Sequence, residues 1–534
     1  MTATESLWAA RGGRDPRYRP AGPPADDRDA DAVVVGGGIA GLSVALRLRE
    51  AGAQVVVLER HRVGRGVTGG STAKVTALHG LLHSVVLELH GPEAAAAYTR
   101  ANAAAVDEVA AAVERHGIDC GLTRADAVNY ATTGDGLARL ERDLGALRVA
   151  GLPAESADAV DLPFPVPGAV VLRDQAHLHP RRYCEGLAAA LDPGTVHEAT
   201  VVVAVDEDEK GCHVRTATGV TIRAPHAVVA THAPIVDPRY LTVRCRPARS
   251  YAVAIELDGP APPAMYLSAD EGAPTRSLRP ATVDGTDYLL VGGEGHAVGD
   301  ERDARLHLAA LESWARAHFP VRSVAYRWAA HDQVPSDHLP FVGRLLPDSR
   351  RWVATGFQKW GFTTSMVAAG LIAAGIAGAS SAEGSSTAAG PTEGAAGPAP
   401  DLLARLLDPS RLRSTITGEL ARDVGRVAVR FTGDEIATRV LRRRATPDDV
   451  PAGGGRVLRT AAGMAAVHRD ATGSLHAVSA RCTHEGCLVR FNRAQQTWDC
   501  PCHGSRFAPD GTVLSGPAVE DLTPVDLPGT VSPP

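Results

Sequence analysis

The segments Cys482-Thr-His484-Glu-Gly-Cys487 and Cys500-Pro-Cys502-His503-Gly-Ser505 each combine cysteine with histidine at short spacing. With the spacings C-x-H and C-x-x-H, each segment offers one thiolate and one imidazole from a tight loop. This mixture suits a 2Fe–2S cluster in which one iron keeps two cysteines and the other takes two histidines, because neutral imidazoles remove negative charge and raise the reduction potential. The pattern predicts a redox centre in this part of the chain.

A structural zinc site is the alternative interpretation, since Cys and His at short spacing also bind zinc. Zinc sites usually pair Cys with Cys as C-x-x-C, or His with His as H-x(3–5)-H. Both pairs in this sequence mix the two residue types. The spacing therefore favours the iron–sulfur cluster.

These segments resemble the Rieske domain, and the extra cysteines match the subgroup found in cytochrome bc complexes. The resemblance implies two ligand pairs and one disulfide: Cys482 with Cys500 on one iron, His484 with His503 on the other, and a bond between Cys487 and Cys502. It also implies an all-β fold, which we expect to begin with the short alternating strands from Arg456 to Ala480 and to run to about Leu527.

Two departures from the Rieske pattern bear on the potential of the cluster. Glu485 stands where most relatives carry an apolar residue, and Phe507 replaces a tyrosine that donates to a cluster sulfur in high-potential relatives. Ser505 keeps the other donating hydroxyl. Because charge and hydrogen bonds tune these centres, we expect the middle of the Rieske range of about −150 to +300 mV.

A second pattern, typical of dinucleotide binding, begins at Ala32. An apolar run leads into Gly36-Gly-Gly38-Ile39-Ala40-Gly41, then a helical segment and a second apolar run that ends in Glu59. The first glycine permits a tight turn, the second a close approach of the diphosphate, and the third the packing of helix on strand. The diphosphate is expected at the helix N-terminus, where N–H groups are free. A carboxylate at Glu59 accepts ribose hydroxyls and disfavours NADP.

The loop after Glu59 favours FAD over NAD, because its glycines and small hydroxyl residues suit a chain that passes close over a flat cofactor. Residues of about 31–375 resemble the D-amino-acid oxidase, glycine oxidase and sarcosine oxidase family of FAD enzymes. The resemblance implies further FAD contacts at Arg60, Thr72, Ala73, Val202 and Thr231. Lys74 and His79 in this region are either near the flavin or ordinary solvated and core residues.

A later segment carries the same resemblance. The chain from His331 to Gly343 and from Val353 to Ser365 is similar to the family's D-x-x-P-x-x-G and A-T-G-x-x-x-x-G-x-x-x-A, with Ser365 in place of the last alanine. The resemblance implies non-covalent FAD beside Gly356, Gly361, Phe362 and Thr363. A helix that begins near Gly361 would place its positive end at the ring and stabilise reduced flavin.

Residues that could contact the substrate are less clearly marked. Arg276 and Arg279 lie on one candidate strand of a substrate domain, and an odd separation puts them on opposite faces, so at most one looks toward the flavin. Arginine can bind a substrate carboxylate through two hydrogen bonds, but a surface ion pair is the favoured interpretation for both residues. With Lys74 they are the candidate catalytic residues.

Length and composition fit a multidomain soluble protein. The chain has 534 residues, 44% of them hydrophobic and 22% charged, and a net charge of −6, which gives no basis for nucleic-acid binding. The run 366–379 is shorter than the ~20 apolar residues of a membrane span. We expect a cytoplasmic protein with no integral membrane segment.

The expected organisation has five parts: a disordered lead-in (1–29), an FAD domain of α/β Rossmann-like type with an inserted α+β substrate domain (30–377), a flexible stretch (378–400), a helical bridge (401–450) and the Rieske domain (451–534). This order joins a two-electron centre to a one-electron centre. We expect oxidation of a C–N bond in a small amine or amino acid, with electrons leaving through the cluster to an external one-electron acceptor.

Two other functions stay open at this point. A reductase would run in the opposite direction and take electrons from NAD(P)H or ferredoxin, although the sequence has only one clear dinucleotide fingerprint. A non-catalytic redox sensor would use the state of the cluster, or the Cys487/Cys502 pair, to control a partner. An oxygenase is disfavoured, because it needs a further iron site of two histidines and a carboxylate, and no His follows His503.

Overall fold

The structure, a computed structural model, describes residues 5–12, 15–299, 303–384, 400–411, 446–460 and 463–527. Its helices are α1 Leu7–Arg11, α2 Ile39–Glu50, α3 Val67–Gly70, α4 Leu82–His90, α5 Pro92–Arg115, α6 Gly134–Val149, α7 Pro180–Ala189, α8 Ala304–His318, α9 Gly361–Gly384 and α10 Pro400–Leu407.

The strands fall into three groups along the chain. The first group is β1 Arg28–Asp29, β2 Ala32–Val35, β3 Val55–Leu58, β4 Lys74–Val75, β5 Thr123–Ala131, β6 Glu155–Ala157, β7 Gly168–His177, β8 Val196–His197, β9 Val202–Asp208, β10 Gly211–Thr216, β11 Thr221–Ala224 and β12 His226–Val229. The second is β13 Cys245–Leu257, β14 Met265–Ser268, β15 Arg276–Val283, β16 Thr286–Ala297, β17 Val321–Pro335, β18 Phe341–Arg344 and β19 Arg351–Thr355. The third is β20 Gly454–Thr460, β21 Gly463–Arg469, β22 Leu475–Ser479, β23 Arg490–Asn492, β24 Thr497–Asp499, β25 Arg506–Phe507 and β26 Val513–Ser515.

A six-stranded sheet forms the centre of the first domain, in the order β18-β19-β12-β2-β3-β8. Its central strands β2 and β3 are buried along their whole length, as continuous valine-rich runs predict for a parallel sheet covered on both faces. Helices α2 and α9 pack together on one side of it, and a four-stranded sheet of β1, β11, β10 and β9 lies against the other. This is the predicted α/β architecture.

The inserted substrate domain is built on a long mixed sheet in the order β17-β13-β16-β15-β14-β5-β7-β4, with β6 paired to β7. Helix α8 covers one face with the apolar residues Leu308, Leu311 and Ala315. This agrees with the α+β prediction.

The cluster domain consists of two antiparallel sheets, β20-β21-β22 and β23-β24-β25-β26. The loops after β22 and β24 carry the cysteines and histidines, and Trp498 and Phe507 fill the core beneath them. The all-β prediction is confirmed.

The described part of the lead-in, residues 5–12 and 15–29, is ordered, which corrects the expectation of disorder for that part. Ser6 caps α1, Leu7 and Trp8 are buried among the strands of the substrate sheet, and Trp8 Nε1 donates to Ser71 O at 2.8 Å. Tyr18 enters the main core. A few apolar residues in an Arg/Pro-rich segment are enough to order it, because each buries a large area against the domain.

Helix α9 contains one stretch, Gly361–Ala379, that is long and apolar enough to cross a membrane, and half of it is buried. It packs against α2 and α5, as expected for a core helix. The predicted flexible stretch lies partly in α9 and otherwise at 385–399, outside the described residues. Of the predicted bridge, α10 and a turn at Pro447–Asp449 are described, and 412–445 are not.

Candidate active site and cluster site

One cavity of about 590 Å³ lies where the two sheets of the FAD and substrate domains meet the cluster domain. Its walls are the carboxyl ends of β2 and β3, the start of α2, the loop 64–74, parts of β13, β16 and β17, and the start of α9. Carboxyl ends of parallel strands are the usual place for a ligand in such a sheet.

At the start of α2, two glycines stand where the Cβ atom of any other residue would clash with the backbone. Gly36 has φ +114°, and a Cβ there would lie 2.6 Å from Ala230 O. A Cβ on Gly41 would lie 1.9 Å from Gly36 O. The N-cap residue Gly38 makes no side-chain cap hydrogen bond, and the N-terminus of α2 lines the cavity, as binding of a diphosphate requires.

Glu59 lies at the end of β3 and lines the same cavity. Its carboxylate accepts from the backbone N–H groups of Gly37 at 2.7 Å and His61 at 2.8 Å. Burial raises the pKa of Glu59, while those two N–H groups act in the opposite direction. Each oxygen keeps a lone pair for a ribose hydroxyl.

The structure brings most of the predicted cofactor residues together in this cavity. Those that line it are Gly36, Gly38, Ile39, Ala40, Glu59, Arg60, Thr72, Val202, Thr231, Gly356, Gly361 and Phe362. Gly41, Ala73 and Thr363 lie behind the wall. Gly41 packs on Gly36, and Thr363 Oγ1 lies 3.1 Å from His79 Nε2.

Arg276 and Arg279 are buried and are not surface ion pairs. Arg276 Nη2 donates to Glu294 at 2.8 Å. The guanidinium of Arg279 donates to the carbonyl groups of Thr72, Pro280 and Leu178, and burial lowers its pKa to about 9. Both guanidiniums are bonded to protein groups, with only Nε of Arg276 left without a hydrogen-bond partner among the described residues, and neither residue lines the cavity. Their candidate role as substrate ligands is not supported.

Two lysines line the cavity. Lys74 Nζ donates to Tyr266 O at 2.7 Å, and burial, then the charge of Arg279, lowers its pKa to about 7. Lys359 is exposed, and its Nζ lies 3.6 Å from where a Cβ on Gly295 would be. Its backbone N–H donates to Asp332 at 3.0 Å. Burial raises the pKa of Asp332 to about 6, opposed by the charge of Lys359.

The four predicted cluster ligands meet at the tip of the cluster domain. Cys482 and Cys500 are buried free thiols, and the rings of His484 and His503 lie 5.0 Å apart. A hydrogen bond from the neighbouring Cys500 thiol lowers the pKa of Cys482 to about 7, although burial acts in the opposite direction. Among the described residues, both ring nitrogens of His503 and Nδ1 of His484 are buried without a hydrogen-bond partner. Buried orphan nitrogens beside two thiols fit a metal-cluster site.

The remaining two cysteines form the predicted disulfide. Cys487 and Cys502 are bonded across the two loops, and their sulfurs lie within 4.8 Å of the Cys500 sulfur. Because both are used in the disulfide, they are not ligands. Ser505 is fully buried, and its oxygen accepts from Ala518 N at 3.0 Å, which leaves its hydrogen for a cluster sulfur.

The His503 loop is turned toward the substrate domain. Gln333 Nε2 of β17 donates to His503 O at 3.2 Å, and a Cβ on Gly504 would lie 3.1 Å from Pro247 of β13. Next to this contact Arg249 donates to His331 Nε2 at 2.9 Å and forms a buried ion pair with Asp499, the residue before Cys500. The cluster tip is therefore docked on the strands that line the cavity.

Comparison with known proteins agrees with this geometry. A family model described as FAD dependent oxidoreductase matches residues 31–375, and one described as Rieske [2Fe-2S] domain matches 443–526. The chain belongs to the FAD-dependent oxidoreductase family. The two matched families imply FAD and a 2Fe–2S cluster as its cofactors, which sets the zinc alternative aside.

Similarity to known proteins covers most of the chain. YhfW of Bacillus subtilis (strain 168), whose name describes a Rieske 2Fe-2S iron-sulfur protein, is 31% identical over 94% of both chains. Gamma-glutamylputrescine oxidoreductase of Escherichia coli (strain K12) is 26% identical over 69% of this chain and 88% of its own. The solved glycine oxidase from Geobacillus kaustophilus is 21% identical, covers 65% of this chain and 95% of its own, and gives a TM-score of 0.52, which shows the shared fold.

Several cavity residues were not predicted from the sequence. Thr68 Oγ1 accepts a hydrogen bond from Ile39 N at 3.3 Å. Because Thr68 lies in the glycine-rich loop, its hydroxyl could have been predicted as a cavity residue from the sequence. Lys359 lies inside the A-T-G segment and could also have been found. Residues 514–516 of the Rieske domain also line the cavity, and no local pattern marks them.

Proposed function

We propose that this FAD-dependent oxidoreductase oxidises a C–N bond of an amine or amino acid and passes the electrons through its Rieske cluster to an external acceptor. The observation that carries the proposal is the position of β17. Asp332 of this strand lines the cavity, and its neighbour Gln333 binds the His503 loop. Adjacent residues of a strand point to opposite faces, so one strand separates the two sites.

FAD supplies a two-electron acceptor for the hydride that leaves the carbon when an amine becomes an imine, and the cluster carries one electron at a time. The protein holds the substrate in position relative to the flavin. The loop 64–74 and the start of α9 close the cavity over the cofactor, and Trp360 stacks on the buried His79 with ring centroids 4.6 Å apart. Holding the substrate in line is the larger part of such a reaction.

Strand β13 repeats the arrangement seen in β17. Ser250 and Ala252 line the cavity, whereas Arg249 lies on the cluster side, bound to Asp499. Two paired strands thus contribute both to the cavity wall and to the surface on which the cluster is docked. A docked cluster suits an electron relay within one chain, because the two sites do not need to find each other by diffusion.

The substrate end of the cavity supports a small zwitterionic or cationic substrate. Because neither Arg276 nor Arg279 lines the cavity, the described cations near the flavin end are the exposed Lys359 and the buried Lys74. Lys359 is placed to bind a substrate carboxylate. The names of two relatives, gamma-glutamylputrescine oxidoreductase and glycine oxidase, favour an amine or amino-acid substrate.

The test is anaerobic mixing of the purified protein with a panel of amino acids, N-methyl amino acids and polyamines. Bleaching of the flavin by one class, with release of the corresponding carbonyl compound after imine hydrolysis, is the expected result. If no amine bleaches the flavin but NAD(P)H or ferredoxin does, the protein is a reductase and this proposal is wrong. Reduction by none of these would favour a redox sensor.

A Lys359→Met variant is expected to raise the KM for an amino-acid substrate about tenfold with little change in kcat, because it removes one charge-assisted contact to the carboxylate. The KM for a polyamine, which has no carboxylate, should stay within a factor of two of the wild-type value. Steady-state kinetics with both substrate types make the comparison. Equal effects on the two substrates would exclude Lys359 as the carboxylate ligand.

A further inference from the structure

The Rieske domain contributes directly to the wall of the FAD cavity. Leu514, Ser515 and Gly516 line it together with Glu59, Arg60 and His61 of the first domain. The latter three follow β3, the strand whose terminal carboxylate receives the adenosine ribose in this type of fold. Residues from the two domains therefore meet where β3 ends, which is the expected adenosine end of the cavity.

The contact at this end is held by specific interactions. His61 Nε2 donates to Leu514 O at 3.0 Å. A Cβ on Gly516 would lie 3.5 Å from Ile235, which lines the same cavity. Within the Rieske domain, Asp521 accepts from Val513 N at 2.7 Å and holds β26 in place.

The position of this wall depends on how the whole Rieske domain is docked. Besides the buried Arg249–Asp499 pair, Arg490 Nη1 donates to Gly299 O at 2.5 Å, and Gln333 binds the His503 loop. These contacts are spread over the interface, so β26 cannot withdraw from the cavity without loosening the domain.

We propose that Leu514–Gly516 complete the adenosine-binding end of the FAD site, so that FAD is held tightly only while the Rieske domain is docked. The proposal concerns cofactor binding and does not depend on which molecule accepts the electrons. By linkage, FAD must stabilise the docked arrangement to the same extent that docking strengthens FAD binding. The flavin and the cluster would then be brought together by one binding event.

Hydrogen exchange on the full-length chain tests this directly, with the deflavinated protein compared before and after addition of FAD. We expect FAD to slow exchange in the peptide that covers 511–518. Peptides that cover β21 and β22, on the other sheet of the Rieske domain, should change little. No change at 511–518, or equal protection over both sheets, would overturn the proposal. The cluster EPR signal confirms that the Rieske domain stays folded in both samples.

A pair of variants gives an independent measure. Leu514→Ala removes part of the wall and should raise the FAD dissociation constant about tenfold. Thr512→Ala changes an exposed residue next to the same strand and should leave the constant unchanged. Flavin fluorescence on dilution reports the release of FAD without any need for turnover. Equal FAD retention by the two variants, with intact cluster signals, would contradict the composite site.

Discussion

A Cys482→Ser variant is expected to lose the Rieske EPR signal and to deliver electrons to an artificial one-electron acceptor on the order of 100-fold more slowly than the wild type. The reason is that Cys482 lies beside Cys500 as one half of the thiolate pair. The same variant should still bind FAD and bleach with substrate, because the glycine cradle and Glu59 are untouched. Rapid mixing with substrate separates the two half-reactions.

Glu485→Gln is the matched control for this experiment. Glu485 is exposed in the same loop and does not belong to either ligand pair. The control should keep both the EPR signal and electron delivery, with a somewhat higher cluster potential because a negative charge has been removed. Electron delivery by Cys482→Ser at the wild-type rate would show that the cluster is not on the path.

An Arg249→Met variant is expected to lower the free energy of unfolding by about 3 kcal/mol or more, because it leaves the Asp499 carboxylate buried without its main partner. Both side chains of the pair are about 5–6% exposed. Burial by itself raises the pKa of Asp499, but Arg249 and Arg506 outweigh that effect and hold the pKa well below its usual range. Urea unfolding followed by the cluster's visible circular dichroism gives the measurement.

Arg322→Met provides the comparison, since it breaks an exposed ion pair between β17 and β13 that does not involve the Rieske domain. Arg322 donates to Glu256 at 3.0 Å, and its side chain is 58% exposed. An exposed pair of this kind contributes less than about 1 kcal/mol. If the two variants were equally stable, the buried pair would not be what holds the Rieske domain in place.

Local sequence patterns predicted the two cofactors, and most of the residues predicted for each site lie close together in the structure. The glycines around Gly36 and the acid at Glu59 lie within one strand–helix–strand unit, so their spacing alone specifies the site. The Rieske ligands are likewise confined to two short loops. In both cases the residues that act together are close in sequence.

Features that depend on distant partners could not be predicted in this way. Arg279 looked like a substrate ligand, but it binds Thr72 O, which lies 207 residues away. Arg249 and Asp499 are separated by 250 residues. The periodicity of a strand shows which face a side chain takes, but it does not show which part of the chain covers that face.

The prediction of a disordered lead-in was wrong for a related reason. Its composition is that of a disordered segment, yet Leu7 and Trp8 find a place beside the substrate sheet. Composition reports an average over the segment, whereas two buried side chains decide its structure.

The measurement that most directly tests the central claim is anaerobic rapid mixing with a reducing amine, followed by flavin absorbance and freeze-quench EPR of the same samples. If electrons pass from the FAD site through β13 and β17 to the docked cluster, the cluster signal will rise after the flavin bleaches, at a rate independent of protein concentration. A flavin that bleaches fully while the cluster stays oxidised, or a cluster signal whose rate scales with protein concentration, would contradict an intramolecular relay.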